Sequence, residues 1–271
     1  NFSNDTHTKN TGANEAAAQH PTTSENEMST SLDAKLLADA LEVPEERAVA
    51  YLAGTETAEA LAAAVKPEVL TNAHIAEMYK NHQLSEPLLT ALLPKAPDSV
   101  VPVLARVLRE RNDAQALAAL LASCREGGAF RGLSRARTAK CIRSTLDELA
   151  LVSGAEELLM KCTQECAAWA AANHQALLRQ RLDLRLCSLC LAARDLDGAL
   201  ARITKLLAEL RRLDDKPLLV EALLVESAVQ RAMHNLPKAK AALTGARTNA
   251  NVIYCPQKLQ AELDLQSGIV N

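Results

Sequence analysis

A repeat with a period of 40 residues runs through the second half of the chain and limits the architecture more tightly than any single segment does. Asp195-Leu196-Asp197-Gly198-Ala199 returns as Asn235-Leu236-Pro237-Lys238-Ala239, and Leu224-Val225-Glu226-Ser227-Ala228 returns as Asp264-Leu265-Gln266-Ser267-Gly268. Asp195 and Asn235 are side chains that cap a helix N-terminus, and Asp197 and Pro237 then fall in the first turn, where an acid or a missing N–H is tolerated. Cys255-Pro256 supplies a further break. The pattern predicts helix pairs over 176–194 with 196–213 and 217–234 with 236–250, then the first helix of a third pair from 256.

A unit of this size cannot bury its apolar face alone, so consecutive pairs must stack. The expected fold is all-α, an α-solenoid of tetratricopeptide-like helix pairs in a right-handed superhelical stack. Ala199, Ala239, Ala241 and Ala242 on the second helices would let neighbours approach closely. The third pair is incomplete at Asn271, which leads to the expectation that the native protein continues or that this helix docks on a partner.

Upstream the pattern is less regular. Apolar residues recur at helical spacing from Leu32, but Pro44, Pro67, Pro87, Pro94, Pro97 and Pro102 crowd the stretch from 28 to 112 and call for short helices with rigid turns. Residues 1–27 are Asn, Thr, Ser, Ala and Gln with hardly any large apolar side chain, too little to offset the entropy of ordering. They are expected to be disordered, with Met28 as a natural start. The organisation expected is a tail over 1–27, a divergent helical region over 28–112 and a repeat region over 113–271.

Composition narrows the function. Of 271 residues 48% are hydrophobic but only 2% aromatic, so the apolar content is helix-favouring Ala and Leu. Thirty basic against 33 acidic residues give a net charge of -3, which disfavours a protein that works by neutralising phosphate backbones. With 9 glycines, neither G-x-x-x-x-G-K-[ST] nor G-x-G-x-x-G occurs, and G-x-S-x-G and H-E-x-x-H are absent too. No cofactor, small-molecule ligand, catalytic residue or membrane contact is expected. Seven scattered cysteines fit a reducing compartment, cytoplasm or nucleus.

Several residue sets have two readings. Cys162, Cys166, Cys187 and Cys190 with His174 could be assembled into a zinc site, but they lie within helical periodicity, where a small Cys is a packing residue. Asp214-Asp215 before Pro217 reads as helix capping, and Trp169 reads as core. Two basic stretches have few nearby acids in sequence: Arg125, Arg131, Arg135, Arg137, Lys140 and Arg143 against Glu126 alone, and Arg231, Lys238, Lys240, Arg247 and Lys258 with no Asp or Glu between Glu226 and Glu262. Each is either a solvated helix face or a strip that docks on an acidic surface. As a docking strip its partner is a protein rather than nucleic acid, since few aromatics exist to stack bases. An RNA-binding helical repeat stands as the alternative.

From about Asp113 the chain resembles the 26S proteasome lid subunit family of non-ATPase regulatory subunit 11. The residues that carry this are Glu209-Leu-Arg-Arg-Leu-Asp-Asp-Lys216, Leu218-Leu-Val-Glu221, and the run Asn235-Leu-Pro-Lys-Ala-Lys-Ala-Ala-Leu-Thr244, continuing through Ala246-Arg-Thr-Asn-Ala-Asn-Val-Ile-Tyr-Cys-Pro256 to Leu265-Gln-Ser-Gly-Ile269. The family has Pro-Pro where this chain has Pro256-Gln257, and its C-terminal PCI module with a winged helix has no counterpart before Asn271. A paralogous signalosome subunit shares the architecture. The resemblance implies a non-catalytic scaffold in ubiquitin-dependent degradation. Its implied partners are other lid subunits, a proteasomal ATPase subunit and a core-particle α-ring subunit.

Overall fold

The computed structural model describes residues 33–80, 84–127, 130 and 132–270, among which every regular element is a helix. The tail over 1–27, Met28 and Arg131 lie outside the described residues. The chain divides into two compact units, Asn1–Val65 and Lys66–Asn271.

The described part of the first unit holds α1 (residues 33–41), α2 (Glu45–Leu52) and α3 (Ala58–Ala64). Glu42, at φ 51°, ends α1, and Val43 N–H then donates to Ala38 C=O at 3.0 Å. Thr57 caps α3 by accepting from Ala60 N–H, and Arg47 pairs with Glu56 at 3.2 Å.

The second unit begins with the short helices α4 (Asn72–Lys80) and α5 (Glu86–Leu92), followed by the longer α6 (Pro97–Glu110). Short helices are what the proline content predicts, yet Pro102 lies inside α6 rather than at a break. An interior proline costs about 3 kcal/mol. Burial of Val100, Val101, Val103, Leu104, Val107 and Leu108 on the same helix offsets it, since each such side chain contributes about 1.5–3 kcal/mol.

The stack then becomes regular: α7 (Ala114–Glu126), α8 (Arg135–Leu149), α9 (Glu156–Ala172), α10 (Ala176–Ala192), α11 (Leu196–Leu213), α12 (Lys216–Ala232), α13 (Leu236–Ala250) and α14 (Gln257–Val270). Each helix from α8 onward starts 20 or 21 residues after its predecessor, so two helices make the 40-residue unit. Consecutive helices pack on one another; α10 also touches α12, and α12 touches α14. This is the stacking of a solenoid. One continuous core joins Leu206, Leu207 and Leu210 of α11 to Val220, Leu223 and Leu224 of α12, Leu243 and Ala246 of α13, and Leu259 and Leu263 of α14. Ala199 and Ala239 are wholly buried at helix contacts, whereas Ala241 is exposed.

Candidate protein interface

The repeat gives the stack two sides with different chemistry. On α12, Glu221, Leu224, Val225 and Ala228 share one face, and Leu219, Leu223 and Glu226 the opposite one. The first set borders a trough of about 690 Å³ built from α8, α10, α12 and α14. The second borders a cleft of about 580 Å³ between α11, α12 and α13.

The second basic stretch is divided between these sides. Lys238 lines the α11–α13 cleft with Arg211 and Glu226, while Lys258 lines the trough. Arg231 is exposed in the last turn of α12, and Lys240 is exposed on α13. Arg247 reaches Asp264 of α14 at 3.5 Å. Of the first stretch, Arg137 pairs with Asp98 of α6 at 3.3 Å, and Arg135 opens α8 beside a groove between α8 and α10. Acids absent from the neighbouring sequence thus arrive from neighbouring helices.

The groove and trough are lined by residues that spacing along one helix does not single out. Arg143 and Arg181 border both. Arg185 is held by Asp147 and donates to Leu146 C=O at 2.8 Å. The signal that locates these residues is the repeat itself: Arg181 and Glu221, Leu184 and Leu224, Ser188 and Ala228 occupy the same position in successive pairs, and all line the trough.

Charge on this scaffold is partly buried. Burial raises the Glu221 carboxyl, opposed by Arg181 and Lys258, and burial likewise raises Glu226, opposed by Arg211 and Lys238. Between α10 and α11, Arg179 bridges Asp183, at 2.8 Å, and Glu209, which also accepts from Gln180 Nε2 at 2.7 Å. The Arg179 hydrogen bond lowers the Glu209 carboxyl, whereas at Asp183 burial outweighs the same guanidinium and the carboxyl rises.

The cysteines behave as core. Cys162 and Cys166 lie on α9, and Cys187 and Cys190 on α10, all buried. Burial pushes the Cys187 thiol up to about 12 and that of Cys166 to about 11. Among the described residues no three His, Cys, Asp or Glu side chains converge as metal ligands, and His174 is an exposed turn residue at φ 52°. Trp169 is half-buried beside Cys124 and Phe130. Asp214 ends α11 in the left-handed conformation, and Asp215 caps α12 by accepting from Leu218 N–H. Among the described residues no helix is long and apolar enough to cross a membrane.

Residues 55–193, more than half of the chain, match the family model of the 26S proteasome regulatory subunit RPN6 N-terminal domain. Over 142 residues the chain is 49% identical to the 26S proteasome non-ATPase regulatory subunit 11 of Dictyostelium discoideum, covering 52% of this chain and 34% of that protein. The Arabidopsis thaliana homolog is 36% identical over 223 residues, 82% of this chain and 51% of its own length. The Saccharomyces cerevisiae regulatory subunit RPN6 is 36% identical over 138 residues, 51% of this chain and 32% of its own. The chain therefore spans from about a third to about half of the length of these relatives. The family match runs from α3 through α10, and the relatives share its identity with proteasome regulatory subunits: the chain belongs to the RPN6 family.

Proposed function

We propose that this chain is the solenoid part of a non-catalytic lid subunit of the 26S proteasome regulatory particle. In this reading it holds lid, base and core particle in register for ubiquitin-dependent degradation, in cytoplasm and nucleus. The observation that carries it is the RPN6 family match along a stack of helix pairs. Such a stack presents long side-chain surfaces suited to multipoint contact with large partners. The partners are other lid subunits, an ATPase subunit and an α-ring subunit, and the exposed Arg231, Lys238, Lys240 and Arg247 are the positions offered to an acidic protein surface. Electrostatic complementarity of this kind governs encounter and register more than total affinity.

The test is affinity purification of the tagged chain from cells, with mass spectrometry of what accompanies it. Regulatory-particle subunits are expected, in reduced amount after R231E/K238E/K240E/R247E. Signalosome subunits in their place would move the chain to that complex. Recovery of neither would refute the reading, and undiminished recovery with all four reversals would remove those positions from the interface.

A further inference from the structure

The α8–α10 groove has a composition that the docking reading leaves unused. It encloses about 660 Å³, and its charged lining residues are Arg135, Arg143 and Arg181, with no carboxylate among them. All three arginines are exposed, and none forms an ion pair among the described residues; Arg143 only returns its Nε–H to Ala139 C=O of its own helix. Between them lies an aliphatic strip with Leu177, a leucine left 72% exposed. α8 and α10 are joined where Arg185 reaches Asp147 and the Leu146 carbonyl, and the groove lies between the N-terminal halves of the two helices. Unpaired arginines around an exposed leucine are the make-up of an interface centre, not of a surface kept soluble by mixed charge.

The charge changes along the trough that continues from it. Past Arg143 and Arg181, the lining includes Asp147, which is paired with Arg185, then Glu221 and Glu262 with Lys258. A polyanion laid along the whole path would leave the three arginines and meet Glu221 and Glu262. No Phe, Tyr or Trp lines either section, and bases would find a single imidazole, that of His174, to stack on. Four adjacent helices at 8–10 Å spacing make a path of about 30 Å, long enough for about eight or nine extended residues.

We infer that the α8–α10 groove, with the trough it opens into, is a binding site for an extended segment of a partner protein. The segment is acidic where it crosses Arg135, Arg143 and Arg181, anchors an aliphatic side chain on Leu177, and turns neutral to basic toward Glu221 and Glu262. Guanidinium groups accept carboxylates in two-point contact, and the leucine supplies the apolar anchor that charge alone lacks. This face is distinct from the α13 surface that carries Lys238 and Lys240, and the inference does not depend on the proteasome reading.

The test uses the purified 271-residue chain and fluorescence polarisation of labelled nonapeptides. The probes are EDLEDLAKK and its reverse, KKALDELDE, against nonaglutamate and a nine-nucleotide oligouridylate. Saturable binding of either leucine-containing peptide is expected, at least tenfold tighter than nonaglutamate or the oligonucleotide. R135E/R143E/R181E should weaken it at least tenfold and L177D at least threefold, with unchanged circular dichroism. L177D alone decides if the triple variant does not fold. The inference is overturned if neither peptide binds, if L177D binds as tightly as the parent, or if the oligonucleotide or nonaglutamate binds equally well. A chain that co-purifies with proteasome subunits but ignores both peptides refutes this inference alone.

Discussion

The backbone N–H of Asp195 donates to the Cys190 carbonyl at 2.9 Å, and the Asp195 carboxylate accepts from Gly198 N–H at 3.0 Å. One residue therefore closes α10 and opens α11. Asn235 does the same between α12 and α13, donating to Gln230 at 2.8 Å and accepting from Lys238 N–H, and Asp113 does so between α6 and α7 with Leu108 and Ala116. The residue before each is left-handed: Asn112, Arg194 and His234, at φ 57°, 65° and 59°. His174 and Asp214 share that conformation, so a non-glycine left-handed residue recurs every 20 positions from 174 to 234. A helix-ending turn is the structural period, half the period seen in the residues.

Asp195→Ala should cost about 1 kcal/mol of unfolding free energy, the usual worth of an N-cap, and Asn235→Ala about the same. Arg194→Gly should raise stability by about 0.5 kcal/mol, because left-handed backbone costs roughly 1–2 kcal/mol in a residue with a Cβ and glycine returns part of that as unfolded-state entropy. Urea unfolding of the three variants checks the signs. A destabilised Arg194→Gly chain would mean that the side chain contributes more than its backbone costs.

The helices from α10 onward were readable because Asp195 and Asn235 announce the same event 40 residues apart, and the expected starts at 196 and 236 coincide with those observed. The turns preceding them were not, since Arg194 and His234 stand where glycine ordinarily marks a left-handed residue. Pro102 misleads for a related reason: a proline signals a local break, but burial along the rest of α6 overrides it. For the interface, residue type was legible and grouping was not. Lys238 and Lys258 are close in sequence yet line different surfaces, while Arg143 and Arg181 are 38 residues apart and border one groove.

The thiols should divide sharply by reactivity. Burial raises Cys124 to about 12 and Cys141 to about 11 and also raises Cys162, Cys166 and Cys187, so the thiolate that would react is suppressed, and Cys190 is buried out of a reagent's reach. Cys255, in the turn before α14, is only partly covered. Titration of the native chain with Ellman's reagent at pH 8 should show one fast thiol, removed by Cys255→Ser, and all seven after denaturation. Two or more fast thiols would show that the helix core opens around at least one of the six buried cysteines.

Acid should act in opposite directions at Glu209 and Glu221. Glu209 has a folded pKa below the ordinary 4.5, so its contribution is full above 4.5 and is lost as pH falls through the folded value. Glu209→Gln should then be less stable than the parent at pH 7, the difference shrinking below pH 4.5. Glu221 has a raised folded pKa, so the folded state takes up its proton first and stability rises as pH falls toward 4.5. Glu221→Gln should be more stable at pH 7 and lose that advantage by pH 4.5. Thermal unfolding at stepped pH reads both, and parallel curves for the two variants would contradict the assignment.

Ser227 and Ser267 are equivalent in the repeat but make different bonds. Ser227 is wholly buried, and its hydroxyl crosses from α12 to donate to Ala239 C=O of α13 at 3.0 Å. Ser267 donates to Leu263 C=O of its own helix at 2.7 Å. Removing a hydroxyl that joins two helices should cost about 1 kcal/mol, the net worth of a buried hydrogen bond. A hydroxyl bonded back within its own helix competes with the helical ladder, and alanine is the better helix former there by about 0.5 kcal/mol. Ser227→Ala is therefore expected to destabilise the chain by about 1 kcal/mol, and Ser267→Ala to leave it within about 0.5 kcal/mol of the parent. Equal losses at the two sites in denaturant unfolding would show that the α12–α13 contact rests on packing around Ala239 rather than on this bond.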